Sequence, residues 1–193
     1  MLSQLTTVKA RLGIGEFDVQ YDTLLTNALT ALSARFDKDT NRTLTRTANS
    51  LHEFRGDDTE IVPTCVPIEA VSKFELKSSE TEGWVQQNGV EYVLRNGCVI
   101  SLADRLGSWR QQGRITYTGG FVMPGTTPGA GQTALPSDLE QAAVEQVTYW
   151  FQNRDKLGLL RHWPHQGLYQ QLSNLDLLPS AVSVLKRYER WTL

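Results

Sequence analysis

The hydrophobic residues of this chain change their spacing twice, from a helical period to short strand-like runs and back again. Between Asp18 and Phe36 the apolar positions recur at helical spacing. From about residue 48 to residue 122 the apolar runs are short and separated by turn-forming residues, as in antiparallel strands. Helical spacing returns after Pro136, and Pro179 suits the first turn of a last helix. The pattern predicts an α+β fold: a helical bundle formed by N- and C-terminal helices, with an antiparallel β-rich insertion in the middle.

The predicted boundaries place all 193 residues in a single domain. Its helical part comprises residues 1–47 and 136–193, and its β-rich insertion comprises residues 48–122. Residues 123–135 are predicted to form a flexible loop, because the segment GGFVMPGTTPGAGQTA is rich in glycine, proline and threonine and cannot pack a core.

Capping and turn residues predict where individual helices begin and end and where the strands are joined. A short helix is expected over Thr7–Leu12, and Asp18 is expected to cap the N-terminus of the second, longer helix. The pairs Asn88-Gly89 and Asn96-Gly97 are candidates for two-residue turns, because both residue types tolerate positive φ. The stripes expected to face the core are Tyr21, Leu24, Leu25, Ala28, Leu29, Leu32 and Phe36 in the second helix, and Leu139, Ala142, Ala143, Val147, Trp150 and Phe151 in the third.

Composition argues against several classes of protein. With 40% hydrophobic and 21% charged residues, the chain is globular in make-up rather than disordered. Its net charge of −2 gives no overall positive field that would attract nucleic acid. The charge is uneven, since residues 154–193 carry six Lys and Arg against three Asp and Glu. This mildly basic tail on an acidic body is too weak a signal to identify a partner.

Compartment is inferred from the N-terminus and the cysteines. The N-terminus lacks the apolar run of a signal peptide, and no stretch approaches the ~18 apolar residues needed to cross a bilayer. We therefore expect an unexported protein without a membrane segment. Cys65 and Cys98 lie in apolar, strand-like surroundings, where reduced thiols are favoured and a single bridge between them stays open.

No motif predicts a catalytic, metal or cofactor site. His162 and His165 are the only histidines close in sequence, and a pair without further ligands is a weak zinc signal. Gly13-Ile14-Gly15 lacks the preceding strand of a dinucleotide site, and Gly129-Ala130-Gly131 lacks the Lys-Ser/Thr of a phosphate loop. We therefore expect no catalytic residue, no metal and no cofactor.

Two further classes of function stay open as alternatives. One is a small hydrolase that uses His52 with the turn carboxylates of Asp57 and Asp58. The other is a sugar- or nucleic-acid-binding β-module that uses Trp109, which arginines bracket in the sequence. Arginines that are simply exposed to solvent on a hairpin would give the same pattern without any ligand.

The end of the chain is both cationic and aromatic. Trp84 and Trp150 lie in apolar runs and are expected in the core. Trp191 instead ends a run of basic and aromatic residues that begins at Arg187. Aromatic and arginine side chains dominate protein interfaces, so this helix is a candidate for docking on another protein. Folding of Trp191 back onto its own domain is an equal alternative.

Several longer segments form an ordered series. The opening LTTVKARLGIGEFDVQYDTLLTNALTALSARFDKDTNRTL joins a short helix, a Gly/Asp-rich break and a long amphipathic helix. HEFRGDDTEIVPTCVPIEAVSKFEL has a Gly/Asp turn before an apolar strand and a Pro-Ile step. Later elements are GCVISL, GRITYTGGF, LPSDLEQAAVEQVTYWFQNRD and LLPSAVSVLKRYERW. In this order, over about residues 5–191, they resemble the phage head–tail connector family, also called adaptor or head-completion proteins, of tailed-phage or gene-transfer-particle type.

The resemblance implies a structural virion protein at the head–tail interface, assembled in the host cytoplasm. Such proteins form a ring, commonly a homododecamer, below the portal protein. The ring continues the channel for double-stranded DNA and meets the next connector, stopper or tail protein. DNA would pass without specific binding, because each phosphate contact would add affinity and friction. A stopper or tail-completion protein of the same neck is the alternative position, and no enzyme activity is implied.

The C-terminal segment of such connectors tends to dock on the portal. Carried over to this sequence, the resemblance predicts that deletion of residues 186–193 leaves the subunit folded and abolishes docking. The implied portal-interface residues are Leu185, Lys186, Arg187, Tyr188, Arg190 and Trp191.

Overall fold

The structure is a computed structural model, which describes residues 1–155 and 176–190. Within these residues it contains four helices and nine strands, which confirms the α+β prediction of terminal helices around a β-rich insertion. The helices are α1 Leu5–Leu12, α2 Asp22–Thr40, α3 Ser137–Gln152 and α4 Pro179–Tyr188. The strands are β1 Thr47–Arg55, β2 Glu60–Ile61, β3 Ile68–Lys77, β4 Trp84–Gln87, β5 Tyr92–Arg95, β6 Val99–Leu102, β7 Gln112–Gly119, β8 Phe121–Val122 and β9 Thr133–Ala134.

The described residues divide into two compact units. The helical unit contains Met1–Thr40 and the described part of Leu135–Glu189, and the β unit contains Asn41–Ala134 and Arg190. Among the described residues, no helix is both long and apolar enough to cross a bilayer. The histidine pair His162 and His165 and the implied interface residue Trp191 lie outside the described residues.

The start of the helical unit differs from the sequence prediction at one cap. The predicted short helix is confirmed, and it ends at Gly13, whose φ of 70° allows its N–H to bond the Ala10 carbonyl at 3.2 Å. Helix α2, however, begins at Asp22, so the prediction that Asp18 caps it is wrong. The Asp18 carboxylate instead accepts the backbone N–H of Gln20 at 3.1 Å, which closes a local turn before the helix.

The core of the helical unit lies on one face of α2 and one face of α3. Because residues three and four apart share a helix face, the predicted stripes are largely buried. Leu24 is the exception, with 49% of its surface exposed. Helix α3 packs against α1, α2 and α4. Fully buried Gln146 on α3 accepts the Leu178 backbone N–H at 2.6 Å and so holds the start of α4. The buried helix residues are Leu25, Leu29, Leu32, Phe36, Leu139, Ala142, Ala143, Val147, Ala181 and Leu185.

The β unit is built from an antiparallel four-stranded sheet and an antiparallel three-stranded sheet. The first has the order β1-β7-β3-β4 and the second the order β2-β6-β5. Two short strands, β8 just before the predicted loop and β9 near its end, pair in parallel. Side chains of both antiparallel sheets form one core: Ile61, Cys65, Val66, Ile68, Phe74, Ile100, Leu102, Ile115 and Tyr117.

The two predicted Asn-Gly turns have different roles. Asn96 and Gly97 have φ of 52° and 64° and connect β5 to its antiparallel neighbour β6, in a loop one residue longer than predicted. Asn88-Gly89 is not a hairpin turn, because β4 pairs with β3 whereas β5 pairs with β6. This second turn therefore carries the chain from one sheet to the other, and local sequence did not distinguish the two cases.

Candidate functional site

The implied portal-interface residues on α4 have two different environments. Leu185 is 4% exposed and packs inside the helical unit. The Tyr188 hydroxyl donates to the Asp138 carboxylate, in the first turn of α3, at 2.7 Å. Lys186 and Arg187 are exposed at the end of the helix. Two side chains therefore hold α4 in place and two cations face outward.

The bond between Tyr188 and Asp138 also changes the acidity of the phenol. Burial, the bond to Asp138 and the negative charge of that carboxylate together raise the pKa of Tyr188 to about 12. The phenol therefore keeps its proton and its bond at any ordinary pH. This contact anchors the C-terminal turn of α4 to the N-terminal turn of α3.

Arg190 belongs to the β unit and is tied to it. Its guanidinium donates to the Val62 carbonyl at 2.6 Å. Trp191 lies outside the described residues. Of the six implied interface residues, only Lys186 and Arg187 are exposed in the part of the chain that the structure describes. Portal contact by any of the six stays a prediction.

Arg190 also lines two neighbouring crevices of the β unit. The crevices have volumes of about 250 Å³ and about 240 Å³ and share Arg190, Glu60 and Val62. Arg42 contributes to the larger crevice and His52 to the smaller. This cluster could not be predicted from the sequence, because its members are far apart in the chain and no local spacing connects them.

The two crevices differ in charge. The larger is lined by the cations Arg42 and Arg190 and the acid Glu60, whereas the smaller is lined by Arg190 and three acids, Glu53, Asp58 and Glu60. Burial lowers the pKa of Arg42, and the nearby charge of Arg190 lowers it further. Burial, followed by the charge of Arg190, lowers the pKa of His52 to about 4. The Nε atoms of Arg42 and Arg190 are buried without a hydrogen-bond partner among the described residues. Glu60, the acid shared by both crevices, pairs with Arg95. The larger crevice can therefore accept an anion.

For the hydrolase alternative, the structure brings the histidine and one acid together but provides no nucleophile beside them among the described residues. His52 and Asp58 do line the same crevice. A His52 with a pKa of about 4 is a weak base at neutral pH. The Asp58 carboxylate accepts the backbone N–H of Arg55 at 3.1 Å, and Asp57 pairs with the Arg55 guanidinium at 2.7 Å. Among the described residues that line this crevice there is no Ser, Thr or Cys to act as a nucleophile.

Metal binding finds no support in the described part of the chain, where no group of three or more His, Cys, Asp or Glu side chains could hold an ion. The two cysteines are free thiols; Cys65 is buried and Cys98 is half-buried. The Cys65 thiol donates to the Gly119 carbonyl at 3.0 Å, and its backbone N–H donates to the Tyr117 hydroxyl at 2.9 Å. Cys65 is therefore a structural residue of the β unit, buried and held by hydrogen bonds.

The tryptophans are less buried than expected. Trp84 is half-buried on the sheet, where the Arg114 guanidinium lies 4.2 Å from its ring centroid and the Lys77 amine 5.7 Å. Trp150 is also half-buried, so the expectation of two core tryptophans is wrong in both cases. Trp109 is 66% exposed, with the Arg110 guanidinium 5.0 Å from its ring. This exposed pair is the arrangement that the β-module alternative needs, although an aromatic ring beside one cation is common on protein surfaces.

Comparison with known proteins gives a likeness in structure and none in sequence. No protein-family model matches the chain, and no curated protein sequence matches it. A chain from the neck of an empty gene transfer agent particle, computed with C6 symmetry, is similar with a TM-score of 0.59 and 17% identity. A chain from the virion of the native gene transfer agent particle is similar with a TM-score of 0.54 and 20% identity. Each match covers 100% of this chain and 91% of the other chain. At these identities the likeness shows a common fold.

Proposed function

We propose that this chain is a structural, non-enzymatic neck protein of a tailed phage or gene-transfer particle. It forms a ring, commonly a homododecamer, below the portal at the head–tail interface of the virion. The ring joins the DNA-filled head to the tail and continues the DNA channel. The observation that carries this proposal is the fold that the chain shares, over 100% of its length, with a chain of a gene transfer agent neck. The order of the segments in the sequence supports the same function.

Helix α4 is the proposed portal contact. Lys186 and Arg187 supply exposed positive charge at its C-terminal turn, and Leu185 and Tyr188 hold the helix on its own unit. The portal surface that receives them carries acidic groups, because a cationic pair binds best where opposite charge faces it. Repetition of this small contact around a closed ring gives the assembly a strength that one contact lacks.

The charge of the subunit suits a channel through which DNA slides. A net charge of −2 provides no general attraction for phosphates. Double-stranded DNA therefore passes without specific binding, and the partners of the ring are the portal above and a stopper or tail protein below.

The double charge reversal Lys186→Glu with Arg187→Glu tests the portal contact. We expect portal binding to weaken at least tenfold, which corresponds to about 1.4 kcal/mol. Fold and stability should change little, because both side chains are exposed. Binding is measured with purified portal by pull-down and by titration, and folding is measured by thermal unfolding.

The matched control is the reversal Arg11→Glu with Lys38→Glu. These cations are also exposed, belong to the same unit and lie in the last turns of α1 and α2. The control therefore changes the net charge by the same amount and also places acidic residues in the last turns of helices. Normal portal binding by the α4 variant would reject this helix as the contact. Failure of the unaltered protein to bind any portal or neck component would reject the neck function itself.

A further inference from the structure

The helical unit has an apolar groove between α2 and α3, which we name the α2–α3 groove. Its volume is about 370 Å³, and Leu24, Ala28, Val147, Trp150, Phe151 and Arg154 line it. Leu24 is 49% exposed there, although it belongs to the same apolar stripe as the buried residues of α2. An open apolar groove of this kind in a folded unit marks a surface that another group covers.

Two exposed apolar side chains, Phe17 and Val19, lie on the loop between α1 and α2, and we name them the knob. Phe17 is 93% exposed and Val19 is 72% exposed. The loop that carries them is fixed by buried Lys9, whose amine donates to the Glu16 carbonyl at 2.8 Å and pairs with Asp22 at 2.9 Å. Burial of a phenylalanine ring is stabilising, and Phe17 gains almost nothing from burial within its own unit.

The knob and the groove have complementary charges. Glu16 and Asp18 flank Phe17 in the sequence and both are exposed. Arg154 is exposed at the groove, with its guanidinium 4.6 Å from the ring centroid of Phe151. A phenylalanine between two carboxylates therefore matches an apolar groove that carries a cation.

We propose that Phe17 of one copy occupies the α2–α3 groove of a second copy, with Glu16 and Asp18 facing Arg154. The contact is heterologous, because the knob and the groove are different surfaces of the same chain, and such contacts can close into a ring. The inference adds a subunit contact to the proposed ring. It depends on the groove and the knob and does not depend on portal binding.

Self-association of the full chain tests this contact, measured by sedimentation over a concentration series and within the portal-bound assembly. Phe17→Ala should weaken association at least tenfold while the melting temperature stays unchanged, because the ring is exposed in the single copy. The matched control is Leu51→Ala, which removes an apolar side chain that is 59% exposed on β1 and should leave association unchanged.

Charge reversal gives the sharper measurement. Glu16→Arg alone and Arg154→Glu alone should each weaken association, and an equimolar mixture of the two variants should restore it, since each knob then meets a groove of opposite charge. Equal association by the Phe17→Ala and Leu51→Ala variants would overturn the inference. The inference would also be overturned if the mixture associated no more strongly than either charge variant alone, or if Phe17→Ala destabilised the single copy. It would be overturned as well if the full chain contacted no second copy in solution or on the portal. Each of these results leaves portal binding through α4 to be judged by its own experiment.

Discussion

Gly119, at the end of β7, lies so close to neighbouring backbone atoms that there is no room for a side chain. A Cβ atom there would lie 2.8 Å from the Pro67 carbonyl oxygen and closer still to that of Cys65. Both obstacles are backbone atoms, which cannot rotate away as the tip of a side chain can. The same stretch of backbone makes two bonds, from the Cys65 thiol to the Gly119 carbonyl and from the Gly120 N–H to the Pro67 carbonyl.

Gly119→Ala should therefore lower the free energy of unfolding by about 1–3 kcal/mol through overpacking. The measurement is urea unfolding followed by tryptophan fluorescence. Gly15→Ala is the matched control, because a Cβ there meets no atom within 4 Å and should have little effect. Equal stability of the two variants would mean that the backbone around Cys65 yields to the added methyl group.

At the scale of the element, α4 is defined by its anchors. Leu185 buries its side chain, Gln146 bonds the backbone where the helix starts, and Asp138 bonds Tyr188 where it ends. A helix of ten residues is marginal alone in water, so these tertiary contacts supply its stability. The exposed cations of its last turn are presented by an element that is fixed at both ends.

The Tyr188 anchor predicts a pH dependence. The folded pKa of about 12 lies above the ordinary value of about 10, so the folded state keeps its proton longer than the unfolded state. The contribution to stability is thus complete below about pH 10 and is lost as the pH rises towards 12. Tyr188→Phe should remove this contribution, so the difference in unfolding free energy between the two proteins should shrink across that window. A difference independent of pH from 9 to 12 would contradict a shifted phenol; thermal unfolding at fixed ionic strength measures it.

The helices and their core faces could be predicted from the sequence, because a period of 3.6 residues is a local signal. Leu25, Leu29 and Phe36 are buried as expected. The cap at Asp18 could not be predicted correctly, because the bond from Lys9 to Asp22 contributes to fixing the loop before α2. The family resemblance implied that Leu185 lies at the portal interface, but it did not reveal that this side chain is buried in its own unit.

At the scale of the whole molecule, the pairing of strands and the two crevices around Arg190 could not be predicted from local sequence. Strand β7 pairs with both β1 and β3, and these contacts join residues far apart in the chain. Arg42 and Arg190 reach the same crevice only because the fold returns residue 190 to the β unit. Each arginine alone looks like an ordinary solvated cation, so the candidate site could not be assembled from spacing.

Deletion of residues 186–193 should cost stability as well as docking. It removes the bond from Tyr188 to Asp138 and the bond from Arg190 to Val62, each of which contributes on the order of 1 kcal/mol. We expect a melting temperature lower by several degrees, at about 2–4 °C per kcal/mol for a chain of this size. The charge reversal of Lys186 and Arg187 keeps both bonds and should therefore lower the melting temperature less than the deletion does, and thermal unfolding of both variants separates the two effects. A deletion variant as stable as the full chain would show that neither bond matters to the fold.

The return of Arg190 to the β unit has a consequence for biosynthesis. Translation produces the nine described strands before it produces Arg190, which bonds the Val62 carbonyl. It likewise produces α1 long before α4, which belongs to the same unit. A ribosome that stops early thus releases a polypeptide in which both units lack a partner segment. Such unfinished products are incompletely folded and therefore open to proteolysis.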